Sequence, residues 1–426
     1  MGQEESHKNR AEADTSADST PRGGYGVADS VAAPDVSCAP APRVPVHALF
    51  LALLRLGMTA FGGPAMVAYI RDLAVKKKRW LSEETFADGV ALCQSIPGAT
   101  AMQVAAYVGL RVRGTVGALA SFTGFGMPAF VLMLVLSAVY HATRDVASVA
   151  SVFRGLQVIV VALVANAVVT FGRTSLKNWR DAVLASAAAV FLVLRGSPIL
   201  AIAASGAIGV WLYRGVSAPG RPAHGGRPTE GRRTLRVLSI AILAGAAVLG
   251  LLFVANRQLF NLAAVMLKVD LFAFGGGFAS VPVMLNQVVH VRNWMAGKTF
   301  MDGIALGQVT PGPIVITATF VGYQIAGLLG AVIGTVAIFS PSFLMLLISV
   351  PYLDRLRGSL LFRGALRGVL ASFVGLLLAV TVQFALAASW TVPAVLLALA
   401  GFVALRFRID VLWVVLVAAG VSILLL

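Results

Sequence analysis

The sequence predicts an all-α integral membrane protein built from two related halves of inverted topology, with helices broken at Gly and Pro. Three observations carry this. Of the 426 residues, 58% are hydrophobic and only 12% charged, against about a quarter charged in ordinary soluble domains. Mean hydropathy is +0.86, and uncharged runs such as 237–255 are long enough to cross a hydrocarbon core of ~30 Å. Finally, the chain repeats itself in register.

The repeat is dense. Phe61-Gly62-Gly63 returns as Phe274-Gly275-Gly276, an offset of 213 residues. Trp80, Phe86, Asp88, Gln94, Pro97 and Gly98 return as Trp294, Phe300, Asp302, Gln308, Pro311 and Gly312. Gly114, Gly117, Pro128 and Phe130 return as Gly327, Gly330, Pro341 and Phe343, and Phe153-Arg154-Gly155 as Phe362-Arg363-Gly364. So many matches in register mark a duplication.

The elements follow in order. Residues 1–45 are polar and rich in Pro, Ala, Ser and Gly, with no apolar core of a signal peptide, and read as a disordered cytoplasmic tail. The first copy, 46–213, has apolar segments at 46–70, 88–110, 114–140, 150–172, 179–195 and 198–213. A basic, Gly/Pro-rich linker at 214–236 follows, then a connecting transmembrane helix at 237–255. The second copy, 256–426, has segments at 256–290, 301–326, 328–350, 362–386, 391–406 and 409–425.

Orientation comes from charge. The net charge is +16, gathered in short connections between apolar runs. That is the positive-inside pattern, with no aromatic-interleaved patch for nucleic acid. Linker arginines Arg214, Arg221, Arg227, Arg232, Arg233 and Arg236 place 214–236 in the cytoplasm, with the N-terminus inside and the C-terminus outside. Six segments return the chain to its starting face, so the extra crossing inverts the second copy, as in many secondary transporters. The basic loop from Arg71 to Arg79 is decisive for the first two segments. It stays inside if 46–70 and 88–110 are re-entrant hairpins, and lies outside if they are full spans. Hairpins fit the charges better, with thirteen full spans as the competing description. A half-helix of about 12 residues reaches roughly 18 Å, far enough for midplane.

The breaks carry the chemistry. They fall at Gly62-Gly63-Pro64, Pro97-Gly98, Gly275-Gly276-Gly277 and Pro311-Gly312-Pro313. Unwound backbone inside a membrane is tolerated only within protein or beside a water-filled cavity. Helix N-termini at such breaks offer free N–H groups and partial positive charge, which suit a small anion. Thr100 and Gln103 follow one break, and Thr310 and Thr317 flank another; their hydroxyl and amide groups can reach oxyanion oxygens. Arg55 and Lys268 pair at the repeat offset, each six residues before its Phe-Gly-Gly. Intramembrane cations mark pathways, or they snorkel to the interface. Asp88 and Asp302 read either as helix caps or as proton-coupling groups. Asp270, opposite Gly57 in the repeat, stands where it can neutralise Lys268.

Other chemistries are poorly served. The five histidines lie scattered without metal spacing, the two cysteines, Cys38 and Cys93, cannot make a cluster, and no Walker motif appears. No metal, cofactor or enzymatic reaction is expected, and the partners are the lipid bilayer and the solute. The oligomeric state, a homodimer included, is not fixed by the sequence.

At the breaks the sequence resembles the chromate ion transporter family in its long, two-domain form, over roughly 46–426. Phe61 to Pro64 with Arg55 upstream is similar to the signature of the first domain, and Val309 to Tyr323, VTPGPIVITATFVGY, to that of the second. One departure is that the usual Pro-Gly-Pro of the first domain is Pro97-Gly98-Ala99 here. The resemblance implies export of chromate across the inner membrane, giving chromate resistance, with sulfate as a near chemical relative. Residue chemistry alone does not separate the two oxyanions.

Overall fold

The computed structural model describes residues 44–61, 65–213, 231–352 and 359–425. The tail 1–43, the linker residues 214–230 and the break residues Gly62, Gly63 and Pro64 lie outside them. The described residues fall in one compact unit, and every regular element among them is helical.

The two halves repeat in three dimensions. In the first, α1 (Val46–Thr59) and α2 (Ala65–Arg71) precede a π-helical turn, Asp72–Lys77. Then come α3 (Glu83–Ser95), α4 (Thr100–Thr143), α5 (Ala147–Ser175), α6 (Trp179–Val193) and α7 (Pro198–Leu212). A single helix, α8 (Gly231–Ala255), joins the halves. The second half has α9 (Arg257–Leu271) and α10 (Ser280–Leu285), followed by a π-helical turn at Asn286–Val291. It continues with α11 (Gly297–Val309), α12 (Thr317–Ser349), α13 (Leu360–Ala387), α14 (Val392–Arg406) and α15 (Val411–Leu425). Backbone irregularities repeat as well. Arg79 and Asn293 share φ near 50°, and Arg195 and Arg408 share φ 64°. Such agreement at unusual torsions means that the duplication preserved turn geometry as well as hydropathy.

Among the described residues, five helices are long and apolar enough to cross a membrane: Thr100–Thr143, Val149–Ser175, Arg236–Ala255, Ile314–Ser349 and Leu360–Ala387. Two of them are not straight. In α4 the chain reverses at Arg113 and Gly114 (φ 66°, ψ −155°), and in α12 at Ala326 and Gly327 (φ 58°, ψ −145°). Gly109 then lies against Gly117, and Gly126 against Met102. Gly322 likewise meets Gly330, and the Thr319 and Thr335 hydroxyls are hydrogen-bonded at 2.6 Å. Each is therefore two antiparallel arms, 100–112 with 115–143 and 317–325 with 328–349. Bare glycine backbones permit this close approach. The sequence segments ending at 110 and 326 and resuming at 114 and 328 match these reversals.

The first arm of α4 also lies beside α3: Gly89 faces the Tyr107 ring, and the Tyr107 hydroxyl donates to the Thr85 carbonyl at 3.2 Å. Gly303 and Phe320 repeat this contact between α11 and α12. Within each half α1 packs on α4 and α9 on α12. Between halves the packing is exchanged: α5 seats on α14 and α15, and α13 on α6 and α7. Gly209 of α7 meets Gly364 and Gly368 of α13, so this crossing too is made through small residues.

Two segment boundaries differ from the sequence reading. Helix α8 begins at Gly231, so Arg232, Arg233 and Arg236 ride on its first turns instead of in the linker. Helix α13 begins at Leu360, two residues before the segment 362–386, and contains Arg363 and Arg367. An arginine stem can lie along an apolar helix while its head finds water or a partner, so hydropathy alone misplaces the boundary.

Candidate functional site

Three of the four sequence breaks meet. The break between α3 and α4 leaves Gly98 with φ 117°, and its N–H donates to the carbonyl of Ala273, in the break after α9, at 2.9 Å. Gly276 in that second break approaches the Thr100 hydroxyl, a Cβ there standing 3.5 Å from it. Gly277 faces Ile314 and Val315, which open the segment after the break at Pro311-Gly312-Pro313. So residues 97–100, 273–277 and 311–315, drawn from both halves, form one junction. The fourth break, Gly62-Gly63-Pro64, is outside the described residues.

Three helical segments begin at this junction: α4 at Thr100, a 3-10 turn at Gly277, and a second 3-10 turn at Ile314 that leads into α12. Their preceding residues, Ala99, Gly276 and Pro313, supply no side-chain cap. The sequence dictates this, because none of the three can accept a hydrogen bond through its side chain. The first-turn N–H groups and the positive ends of these segments therefore point into a region formed largely by glycine and proline.

The polar side chains nominated from sequence divide. Gln103 is fully buried; its Nε2 donates to the Pro97 carbonyl at 2.6 Å, bracing the break, while its Oε1 has no partner among the described residues. Thr317 also braces its own turn, donating to the Ile314 carbonyl at 2.8 Å. Thr310 donates back to Leu306 at 2.9 Å. Arg55 and Lys268 do not join the junction. Both lie on exposed faces of α1 and α9, and among the described residues neither is in an ion pair.

Two sequence expectations for the acids need correction. Asp270 does not neutralise Lys268. It is fully buried, and Ser342 of α12 occupies both its oxygens, donating its backbone N–H at 2.7 Å and its hydroxyl at 2.6 and 2.8 Å. Residues two apart on a helix face different directions, which is why the neighbouring lysine is out of reach. Nor do Asp88 and Asp302 cap helices. The N-cap of α3 is Ser82, whose hydroxyl accepts from the Thr85 N–H at 3.2 Å, and that of α11 is Ala296. Asp302 instead lies buried where the halves meet, accepting from the Tyr140 hydroxyl of α4 and from Gln157 Nε2 of α5, each at 2.8 Å.

Sequence reasoning missed two groups. Ser342 contacts the junction directly: its hydroxyl oxygen accepts from the Ala99 N–H at 3.1 Å and fills the space beside Gly98. Its repeat equivalent is Ala129, and that of Asp270 is Gly57. The paired departure from the repeat was the available signal. The second group is Asp181, buried at the start of α6. It accepts from Arg367 Nε at 3.1 Å and Nη2 at 2.8 Å, from the Tyr213 hydroxyl, and from the backbone of Lys177 and Asn178. This fork ties α6 and α7 of the first half to α13 of the second.

Known proteins agree with the repeat. A family model described as chromate transporter matches the chain twice, over residues 47–210 and 260–423. An uncharacterized transporter of Methanocaldococcus jannaschii is 43% identical over 379 residues, covering 89% of this chain and 94% of the relative. A chromate transport protein of Pseudomonas aeruginosa is 31% identical over 85% of this chain and 86% of its own. One from Cupriavidus metallidurans is 29% identical over 90% and 93%. No solved structure matches the chain.

Proposed function

The chain belongs to the chromate transporter family, and from that premise we propose that it exports chromate from the cytoplasm through the junction of breaks, conferring chromate resistance. It is a multi-pass membrane protein of a transporter family and not an enzyme. The observation that carries the proposal is the convergence of three uncapped helical N-termini, at Thr100, Gly277 and Ile314. Backbone N–H groups there can replace the hydration shell of a small oxyanion. Pro97, Gly98, Gly275, Gly276, Pro311 and Gly312 shape the unwound backbone, Gln103 and Thr317 brace it, and Thr100 faces it. Gly62-Gly63-Pro64, the sequence counterpart of Gly275-Gly276-Gly277, belongs to the same proposed set. Arg55 and Lys268 draw the anion inward from exposed helix faces. Asp302 and its counterpart Asp88 are candidates for coupling.

In the same reading the halves, 46–213 and 256–426, are inverted about α8. No residue along the apolar span of that helix is buried, as expected of a crossing that faces lipid on most sides. The N-terminus and the basic linker then lie in the cytoplasm and the C-terminus outside. Export needs no ATP: leaving a cell at 100 mV, inside negative, releases about 4.6 kcal/mol for a dianion, at ~2.3 kcal/mol per charge.

A second reading, transport of sulfate or another inorganic oxyanion, is favoured by one observation: the relative at 43% identity is uncharacterized, and those named for chromate stand at 31% and 29%. The test is chromate accumulation in a sensitive bacterium expressing the protein. Accumulation falls if the proposal holds, and falls less in Arg55→Gln or Lys268→Gln at equal protein level. Unchanged accumulation with a membrane-inserted protein sinks chromate export, and labelled sulfate flux then decides for the second reading.

A further inference from the structure

Asp270 is a carboxylate with no described cation partner, buried beside the proposed oxyanion site. Its two oxygens are served by one residue, Ser342, through a backbone N–H and a hydroxyl. That same hydroxyl oxygen accepts from the Ala99 N–H at the start of α4, and the Ser342 carbonyl lies 3.4 Å from Gln103 Nε2. A three-member relay thus runs from the carboxylate through one hydroxyl to the backbone of the break. In the first half Gly57 and Ala129 take these positions, so the relay exists once in the molecule.

Among the described residues the surroundings offer no countercharge. Helix α9 packs on α8, α10 and α12. Helix α10 carries no titratable group, and α12 carries Tyr323 alone, before the reversal at Gly327, whereas Ser342 lies fifteen residues beyond it. The arginines of α8, Arg232, Arg233 and Arg236, sit on its first turns, and residues 96–103 of the break and α4 carry no titratable group. On α9 itself Arg257 is at the far end and Lys268 is exposed on another face. A buried, unpaired carboxylate is costly and in membrane proteins marks proton pathways. A dianion arriving at the break would meet the carboxylate's negative charge at close range.

We propose that Asp270 takes up a proton when an oxyanion binds at the junction, with Ser342 as the switch between them; this rests on the oxyanion reading of the breaks. The carboxylate gains one proton from water, and its new O–H donates to the Ser342 oxygen. The Ser342 hydroxyl hydrogen, released from the carboxylate, turns toward the break as an added donor to the anion. Loss of the proton reverses each bond. A proton that leaves with the anion makes each cycle carry one net negative charge instead of two.

The test is sulfate binding to the purified full chain, followed calorimetrically in two buffers of different ionisation enthalpy, since sulfate stays a dianion across the neutral range. Wild type takes up one proton per sulfate, and its Kd weakens about tenfold per pH unit above the carboxyl midpoint. Asp270→Asn binds with a Kd that does not change with pH and takes up no proton. Ser342→Ala lowers the proton uptake and flattens the pH dependence of Kd together, because linkage makes them one quantity. Wild-type binding that is flat with pH and proton-free overturns the role of Asp270 while leaving the oxyanion site standing, a result needing no variant. Proton uptake that persists unchanged in Asp270→Asn also overturns it. Absence of sulfate and chromate binding at every pH overturns both readings together.

Discussion

Alanine substitution at four glycines separates two costs that usually arrive together. Gly114 and Gly327, at the helix reversals, have φ of 66° and 58°, and an added Cβ meets nothing within 4 Å. Alanine there incurs only backbone strain, about 1–3 kcal/mol. Gly312 has φ 132°, and its Cβ would stand 2.7 Å from the Ala129 Cβ. Gly98 has φ 117°; its Cβ would stand 2.8 Å from the Ser342 Cβ and overlap the Ser342 hydroxyl. Crowding a packed interior adds roughly 1–3 kcal/mol, so Gly98→Ala is expected to cost about 2–6 kcal/mol in all. The expected order is Gly114 and Gly327 least, Gly312 next, Gly98 most. Denaturant unfolding of purified protein in mixed micelles measures it. Transport normalised to folded protein falls most for Gly98, because the intruding methyl displaces the hydroxyl that contacts the break. Equal destabilisation at Gly98 and Gly114 would refute the claim that Ser342 is packed into the junction.

Two further outcomes are expected. Arg367→Gln strands the buried Asp181 carboxylate; breaking a buried pair costs ~3–5 kcal/mol, but Asp181 keeps Tyr213 and two backbone donors and Arg367 is 23% exposed, so about 2 kcal/mol is the working figure. A loss under about 0.5 kcal/mol in the same unfolding assay would show that the fork contributes nothing to joining the halves. Cys38 of the N-terminal tail in a Cys93→Ser background, and a cysteine added after Leu425 in a Cys38→Ser, Cys93→Ser background, are tested with an impermeant maleimide; only the C-terminal position is expected to react in intact cells. Labelling of both ends, or of neither, sinks the inverted arrangement.

Much of the fold was legible because a duplicated chain states its own alignment. The Gly114 and Gly327 match located both helix reversals, although hydropathy alone reads 100–143 as one long apolar helix. The breaks were legible because Gly and Pro recur there, and three of the four meet in one junction among the described residues. What escaped was side-chain partnership. Asp270 was assigned to the nearest charge in sequence, Lys268, when its partner lies 72 residues away on α12. The Arg367 pairing drew no notice inside the segment 362–386, because its partner Asp181 lies in the other half. Asp302 sits near the start of an apolar run, yet helix α11 begins five residues earlier, at Gly297, beyond the reach of a cap. In each case the deciding contact joins segments far apart, and local pattern carries no distance across the fold. Departures from the repeat were the one local trace: Gly57 against Asp270, Ala129 against Ser342.

Those departures bear on the resting shape of the molecule. In the inverted arrangement proposed above, two identical halves would exchange roles when access switches sides, so the inward-open and outward-open states would be equal in energy and equally populated. The Asp270–Ser342 contact and the Asp181–Arg367 fork each occur on one side of that symmetry only. Every such unmatched bond tilts the balance, and about 1.4 kcal/mol is enough to make one state tenfold the commoner. Drift away from perfect duplication is therefore what gives a two-fold carrier a preferred face from which to wait for its cargo.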